Sequence, residues 1–295
     1  MDSERQSRKR KAALPSNLII YSSSLTMKTR AITAFFFTIV MLGSILLGGY
    51  TFTGFYLILS IVALLEFYKL VKMGGIRPHR NMAVIVSTVI FSLTAAYHYY
   101  QFELKYLLLI VPLIFSVFIL ELYKKNKIPF ANISYTFVGF IYVTVPFCFF
   151  YSLGFLTDTN NYNFHLPLAF LLLLWASDTG AYLFGVKFGK TRLFERHSPK
   201  KSWEGFFGGV FTSLLVSYLI SLNFKEFSPS IWGGMAILIV CFGTLGDLVE
   251  SMLKRSLDAK DSGSFLPGHG GFLDRFDGLL IAAPVVYVYL YLLLY

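Results

Sequence analysis

Cysteine is nearly absent from this chain: Cys148 and Cys241 are its only two, and both fall inside apolar segments. Small hydrophobes in such places build neither a disulfide framework nor a thiolate metal site. Charge is scarce too, at 14% of 295 residues against 56% hydrophobic, and the mean hydropathy is +0.63. That balance excludes a soluble globular domain. Fixed-period repeats, sustained heptads and low-complexity tracts are missing. So are a G-x-S-x-G elbow, an H-E-x-x-H pair and a clustered Cys/His site. "GVKFGKT" at 185–191 comes nearest to a P-loop, but its required first glycine falls on Phe184 and no strand precedes it.

What the sequence has in excess is apolar length. Crossing ~30 Å of hydrocarbon takes about 20 residues of helix. Nine segments qualify, at roughly 31–49, 52–71, 81–100, 104–121, 130–151, 166–186, 205–222, 231–252 and 278–295. The 31 Phe and 19 Tyr suit lipid-facing surface and interfacial anchoring. With the N-terminus placed in the cytoplasm, every one of the 26 Lys and Arg except Lys105 and Lys225 falls on the inner side. This satisfies the positive-inside bias and accounts for the net charge of +10 without nucleic acid. The expected fold is an all-α polytopic membrane protein of about nine transmembrane helices, N-terminus cytoplasmic and C-terminus outside. Residues 1–26 read as a disordered basic tail, and Met27 reads as a membrane-protein start in its own right. Basic residues lead into the first span with no small-x-small cleavage pattern, so that span reads as a signal anchor. Residues 27–160 form the N-terminal transmembrane helices, and 161–295 the C-terminal helices that carry the polar motifs.

Ionisable residues inside spans cost about 2.5 to 3.5 kcal/mol each on insertion scales, so each needs a reason. Glu66 reads equally as a functional carboxylate or as a snorkelling or helix-pairing one with Lys69 nearby. Asp178 sits in "LLWASDTGAYLFG", about two turns from the inner end of its span. Asp247, Glu250, Ser251 and Lys254 recur at i, i+3, i+4, i+7, on one helical face. Carboxylates running into a cationic end suit a hard cation and the phosphate it carries.

Two cytoplasmic loops add to this. In "SPKKSWEG", Lys200 and Lys201 read either as topogenic cations or, with Asp178 and Ser198, as one wall of a phosphate pocket. In "HGGFLDRFDG", Asp274 and Asp277 flank Arg275. Gly268, Gly270 and Gly271 let backbone amides approach a phosphate, and His269 can donate to one or act as acid or base.

The stretch 251–277, "SMLKRSLDAKDSGSFLPGHGGFLDRFD", resembles the signature of the phosphatidate cytidylyltransferases, or CDP-diacylglycerol synthases. "SDTGAY" and "SPKKSWEG" resemble that family's two preceding blocks, with Ser202 where Thr is commoner. The likeness runs from about Met27 to Tyr295, with sharp motifs only from about 177 onward. It implies transfer of CMP from CTP to phosphatidate, giving CDP-diacylglycerol and pyrophosphate for phospholipid biosynthesis. Mg²⁺ is the implied cofactor, with K⁺ as a second ion; the implied assembly is a homodimer. The implied setting is the lipid bilayer of the bacterial inner (cell) membrane, with the active site facing the cytoplasm. By motif position, Asp247 and Asp274 would ligate metal. Lys200, Lys201, Lys254, Arg255 and Arg275 would share the catalytic work. Asp178, Ser198, Ser251, Lys260, Asp261, His269, Gly270, Gly271 and Asp277 would bind substrate.

Two other readings compete. A polytopic transporter would gather its ionisable residues near the midplane, whereas here they collect at one face. Another lipid phosphotransferase acting on CDP-alcohols would carry D-G-x-x-A-R, which "DGLLIA" at 277–282 only begins to resemble.

Overall fold

The computed structural model describes residues 35–101, 103–158, 161–196, 198–259 and 271–295. The tail 1–26 and four expected site residues, Lys260, Asp261, His269 and Gly270, lie outside the described residues.

Among the described residues nine helices follow in order: α1 Phe35–Leu46, α2 Gly49–Met73, α3 Arg80–Tyr100, α4 Lys105–Leu122, α5 Pro129–Leu153, α6 His165–Phe188, α7 Trp203–Asn223, α8 Pro229–Ser256 and α9 Asp277–Leu294. From α2 to α9 each is long and apolar enough to cross a membrane. The described part of the first expected span, 31–49, is α1. A π turn at Phe140–Thr144 interrupts α5, where the Val145 N–H reaches back five residues to the Phe140 carbonyl. Pro146 follows at once; a proline has no N–H to give and crowds the preceding turn, which a widened turn relieves.

Successive helices alternate in direction. At one end of the bundle Gly74, just past α2, packs on Leu257, just past α8. There the Arg77 N–H bonds to Asn132 at the start of α5 (2.8 Å), and His79 before α3 meets Glu121 at the end of α4 (2.6 Å). At the other end the Tyr162 hydroxyl donates to the Ile45 carbonyl at the end of α1 (2.9 Å). Thr53, near the start of α2, bonds to Tyr151 near the end of α5 (3.1 Å).

Close approach of backbones sets the C-terminal half. The most extensive helix pairing is α6 with α7, followed by α8 with α9. A Cβ on Gly180 would strike Thr212, and one on Gly208 would strike Phe184. With that side-chain thickness absent, Thr212 and Ser213 of α7 donate hydroxyls to the α6 carbonyls of Ala176 (2.9 Å) and Leu173 (3.2 Å). A Cβ on Gly246 of α8 would collide with the Asp277 carbonyl at the head of α9.

Between α6 and α7 the all-helical expectation is modified. Residues Arg192–Phe194 (β1) and Ser198–Ser202 (β2) pair antiparallel, Phe194 opposite Ser198 and Arg192 opposite Ser202, with an irregular register between. Glu204 anchors the ribbon by accepting the Thr191 N–H (3.0 Å). Ser202 caps α7 by accepting the Gly205 N–H (3.2 Å).

Candidate active site

A cavity of about 580 Å³ opens at the end of the bundle where α6, α8 and the β1–β2 ribbon finish. That volume lies in the range of small-molecule sites. Along α6 its wall is Trp175, Asp178, Tyr182 and Gly185, spaced three, four and three apart and hence on one helical face. The ribbon contributes Lys200, Lys201 and Ser202, and α8 contributes Gly243, Thr244 and Asp247. Asp274, Arg275, Asp277 and Gly278 come from the entry to α9, and Phe37 and Thr38 from α1.

Two lysine–carboxylate contacts organise the charge. Lys201 reaches across from β2 to Asp247 on α8 (2.6 Å) and to the Thr244 carbonyl (3.4 Å). Lys254 on α8 bridges Glu250 (3.0 Å) and Asp274 (2.6 Å), so it ties α8 to the turn ahead of α9. The second oxygen of Asp274 accepts the Gly271 N–H (2.9 Å). Burial pushes the Asp274 carboxyl upward. Hydrogen bonding with Glu250 and Lys254, the Lys254 charge and the Gly271 amide outweigh burial and hold it well below the usual carboxylate range. Ser251 stands at 3.4 Å from Asp247, one turn along the same face.

Of the expected residues, Asp178, Lys200, Lys201, Asp247, Asp274, Arg275 and Asp277 meet in the cavity. Lys254 and Gly271 act one contact away, through Asp274. Ser198 lies half-buried in β2, outside the lining, and Arg255 is exposed on α8 and also outside it. Sequence reasoning missed Trp175, Tyr182 and Gly185, although their helical spacing from Asp178 was there to be read. It also left open the role of Glu66, which is buried and accepts the Phe272 N–H (2.6 Å) and the Leu273 N–H (3.3 Å). No local spacing could have shown that, because the partners lie over 200 residues apart.

Whether this lining suits a cation can be judged from its donors. Asp178, Asp247, Asp274 and Asp277 all line it, with Lys200, Lys201 and Arg275 beside them. Hard carboxylate oxygens of this kind fit a hard divalent ion. Among the described residues no three His, Cys, Asp or Glu side chains form a ready-made metal cage. Mg²⁺ suits such a site, because it takes one or two carboxylates and completes its shell with water and substrate phosphate.

Fold and site together define a polytopic membrane enzyme that handles phosphate-bearing substrates. Residues 28–293 match the Cytidylyltransferase family, and the chain belongs to it. It is similar to the phosphatidate cytidylyltransferase of Staphylococcus aureus (strain COL), 37% identical over 268 residues that cover 90% of this chain and 99% of the relative. The phosphatidate cytidylyltransferase of Staphylococcus haemolyticus (strain JCSC1435) is 35% identical over 271 residues, again 90% of this chain and 99% of the relative.

Proposed function

We propose that the chain transfers CMP from CTP to phosphatidate, releasing pyrophosphate and leaving CDP-diacylglycerol for phospholipid biosynthesis. The observation that carries this reading is the single cavity in which Asp178, Asp247, Asp274 and Asp277 face Lys200, Lys201 and Arg275 beside apolar walls from α1 and α6. In the reaction a phosphate oxygen of phosphatidate attacks the α-phosphorus of CTP, and the bond to the β-phosphate oxygen breaks. The nucleophile arrives already ionised, so the protein needs no strong general base; alignment and charge neutralisation suffice.

Asp247 and Asp274 are the residues to hold Mg²⁺, with K⁺ as a second ion. When bound, the metal neutralises phosphate charge and orients the triphosphate. Lys200, Lys201 and Arg275 stabilise the charge gathering on the leaving pyrophosphate. Lys201 and Lys254 each hold a carboxylate at 2.6 Å, keeping Asp247 and Asp274 in place. Asp178 and Asp277 complete the acidic wall, and the Gly271 amide fixes the rotamer of Asp274.

The site end of the bundle faces the cytoplasm in this reading, with the N-terminus inside, the C-terminus outside and the chain in the bacterial inner membrane. Support comes from the charge distribution: among the described residues, Lys105 and Lys225 are the Lys and Arg that leave the site side. CTP is then met from solution while phosphatidate stays in the leaflet. A homodimer is part of the reading that the family likeness brings.

Membranes containing the chain, given phosphatidate and CTP labelled at its α-phosphate, are expected to put the label into CDP-diacylglycerol with Mg²⁺ and to lose that activity in chelator. Absence of labelled lipid in the presence of Mg²⁺ overturns the reading.

A further inference from the structure

The acidic turn at the head of α9 has no cap of its own: at Leu273–Arg275 no side chain of the flanking residue bonds the first free N–H groups. Those groups must find acceptors when buried. Phe272 and Leu273 are buried and find one in Glu66, which projects from α2 in the opposite half of the chain. One carboxylate oxygen, Oε2, takes both N–H groups. Glu66 therefore does across the fold what an N-cap aspartate does within a helix.

The same turn has two faces. Phe272, Leu273 and Phe276 point inward and are almost fully buried, with Phe276 against Phe37 of α1 and Phe147 of α5. Asp274 and Arg275 point into the cavity. Apolar contacts of this kind are non-directional and fix where the turn sits more firmly than how it is rotated. Two hydrogen bonds to a charged acceptor are directional and oppose its rocking. Rocking would swing Asp274 away from Lys254 and out of the cavity.

We infer that Glu66 is a positioning residue for the transfer reaction: its carboxylate locks the backbone of the Asp274 turn and so fixes where the site's acidic ligand stands. This rests on the assignment of Asp274 as a cation ligand. A helix-embedded carboxylate is otherwise costly in a span, and here it holds the turn that carries Asp274 and Arg275 into the cavity.

The test uses the full-length chain purified in detergent, with Mn²⁺ binding followed by electron paramagnetic resonance and amide exchange followed over residues 271–277. Glu66→Ala is expected to speed exchange in that segment, weaken Mn²⁺ about tenfold and lower kcat roughly 10- to 100-fold, the scale of an ångström-sized misplacement. Glu66→Gln keeps an acceptor oxygen and is expected to stay within about threefold of wild type in all three. Unchanged exchange and Mn²⁺ affinity in Glu66→Ala overturn the inference, and so does equal damage in Glu66→Ala and Glu66→Gln. Asp274→Asn separates this from the site assignment. If that variant binds Mn²⁺ like wild type, the assignment fails; if it loses Mn²⁺ while Glu66→Ala does not, only the role of Glu66 fails.

Discussion

Residues 35–158 and 161–295 both bury polar groups at the site end of the bundle, but they use them differently. In the first region His79, Glu121, Asn126 and Asn132 close on one another: Glu121 accepts from both asparagines at 2.8 Å and meets His79 at 2.6 Å, and Lys124 adds a contact to His79. That knot is inward-turned and ties α3, α4 and α5 together. In the second region Asp178, Asp247, Asp274 and Asp277 point into a shared cavity, and only some of their oxygens are taken by lysines. A satisfied polar cluster specifies a fold, whereas carboxylates gathered round a cavity keep capacity for a cation. Glu66 is where the two meet, a first-region carboxylate holding a second-region turn.

The sharpest way to break this contrast is to compare activity with stability. Asp247→Asn and Asp274→Asn are each expected to cost about 10³-fold in kcat, the scale seen when a preorganised charge is removed, with little change in the helix content measured by circular dichroism. Lys254→Met strips the partner from Glu250 and Asp274 together. Breaking a pair this buried costs about 3–5 kcal/mol, so thermal denaturation in detergent should show a large fall in Tm together with lost turnover. Glu121→Ala should also destabilise, by about 3 kcal/mol, yet leave turnover per folded molecule unchanged. A fall in kcat with Tm intact would erase the distinction between the regions. Gly246→Ala forces α8 from the head of α9, an overpacking worth about 1–3 kcal/mol, and should depress Tm and activity together.

The smallest effect concerns pH. The folded Asp274 titrates below its unfolded value, so its contribution to stability is complete above the ordinary aspartate pKa of about 4 and is lost as pH falls through the depressed folded value. In chelator, the stability gap between wild type and Asp274→Asn should stay constant from pH 8 to pH 5 and narrow only below about pH 4.

How much of this could be read from residues alone follows the range of the forces involved. Hydrocarbon thickness acts on each span separately, so 81–100 anticipates Arg80–Tyr100 and 166–186 anticipates His165–Phe188. Helical spacing likewise exposes the Asp247–Lys254 face, and the run around Asp274 announces itself by its charge. The β1–β2 ribbon was not legible, since its strands are short, polar and out of simple register. Nor was Glu66, whose meaning depends on a contact between α2 and the turn before α9. Arg255, nominated by motif position, is exposed on α8 outside the cavity lining.

The most direct test of the account is CMP transfer by purified protein, with labelled CTP, phosphatidate and Mg²⁺, in wild type and in Asp247→Asn and Asp274→Asn. Labelled CDP-diacylglycerol from wild type and about 10³-fold less from either folded variant is the predicted result. Wild-type rates in either variant would contradict it.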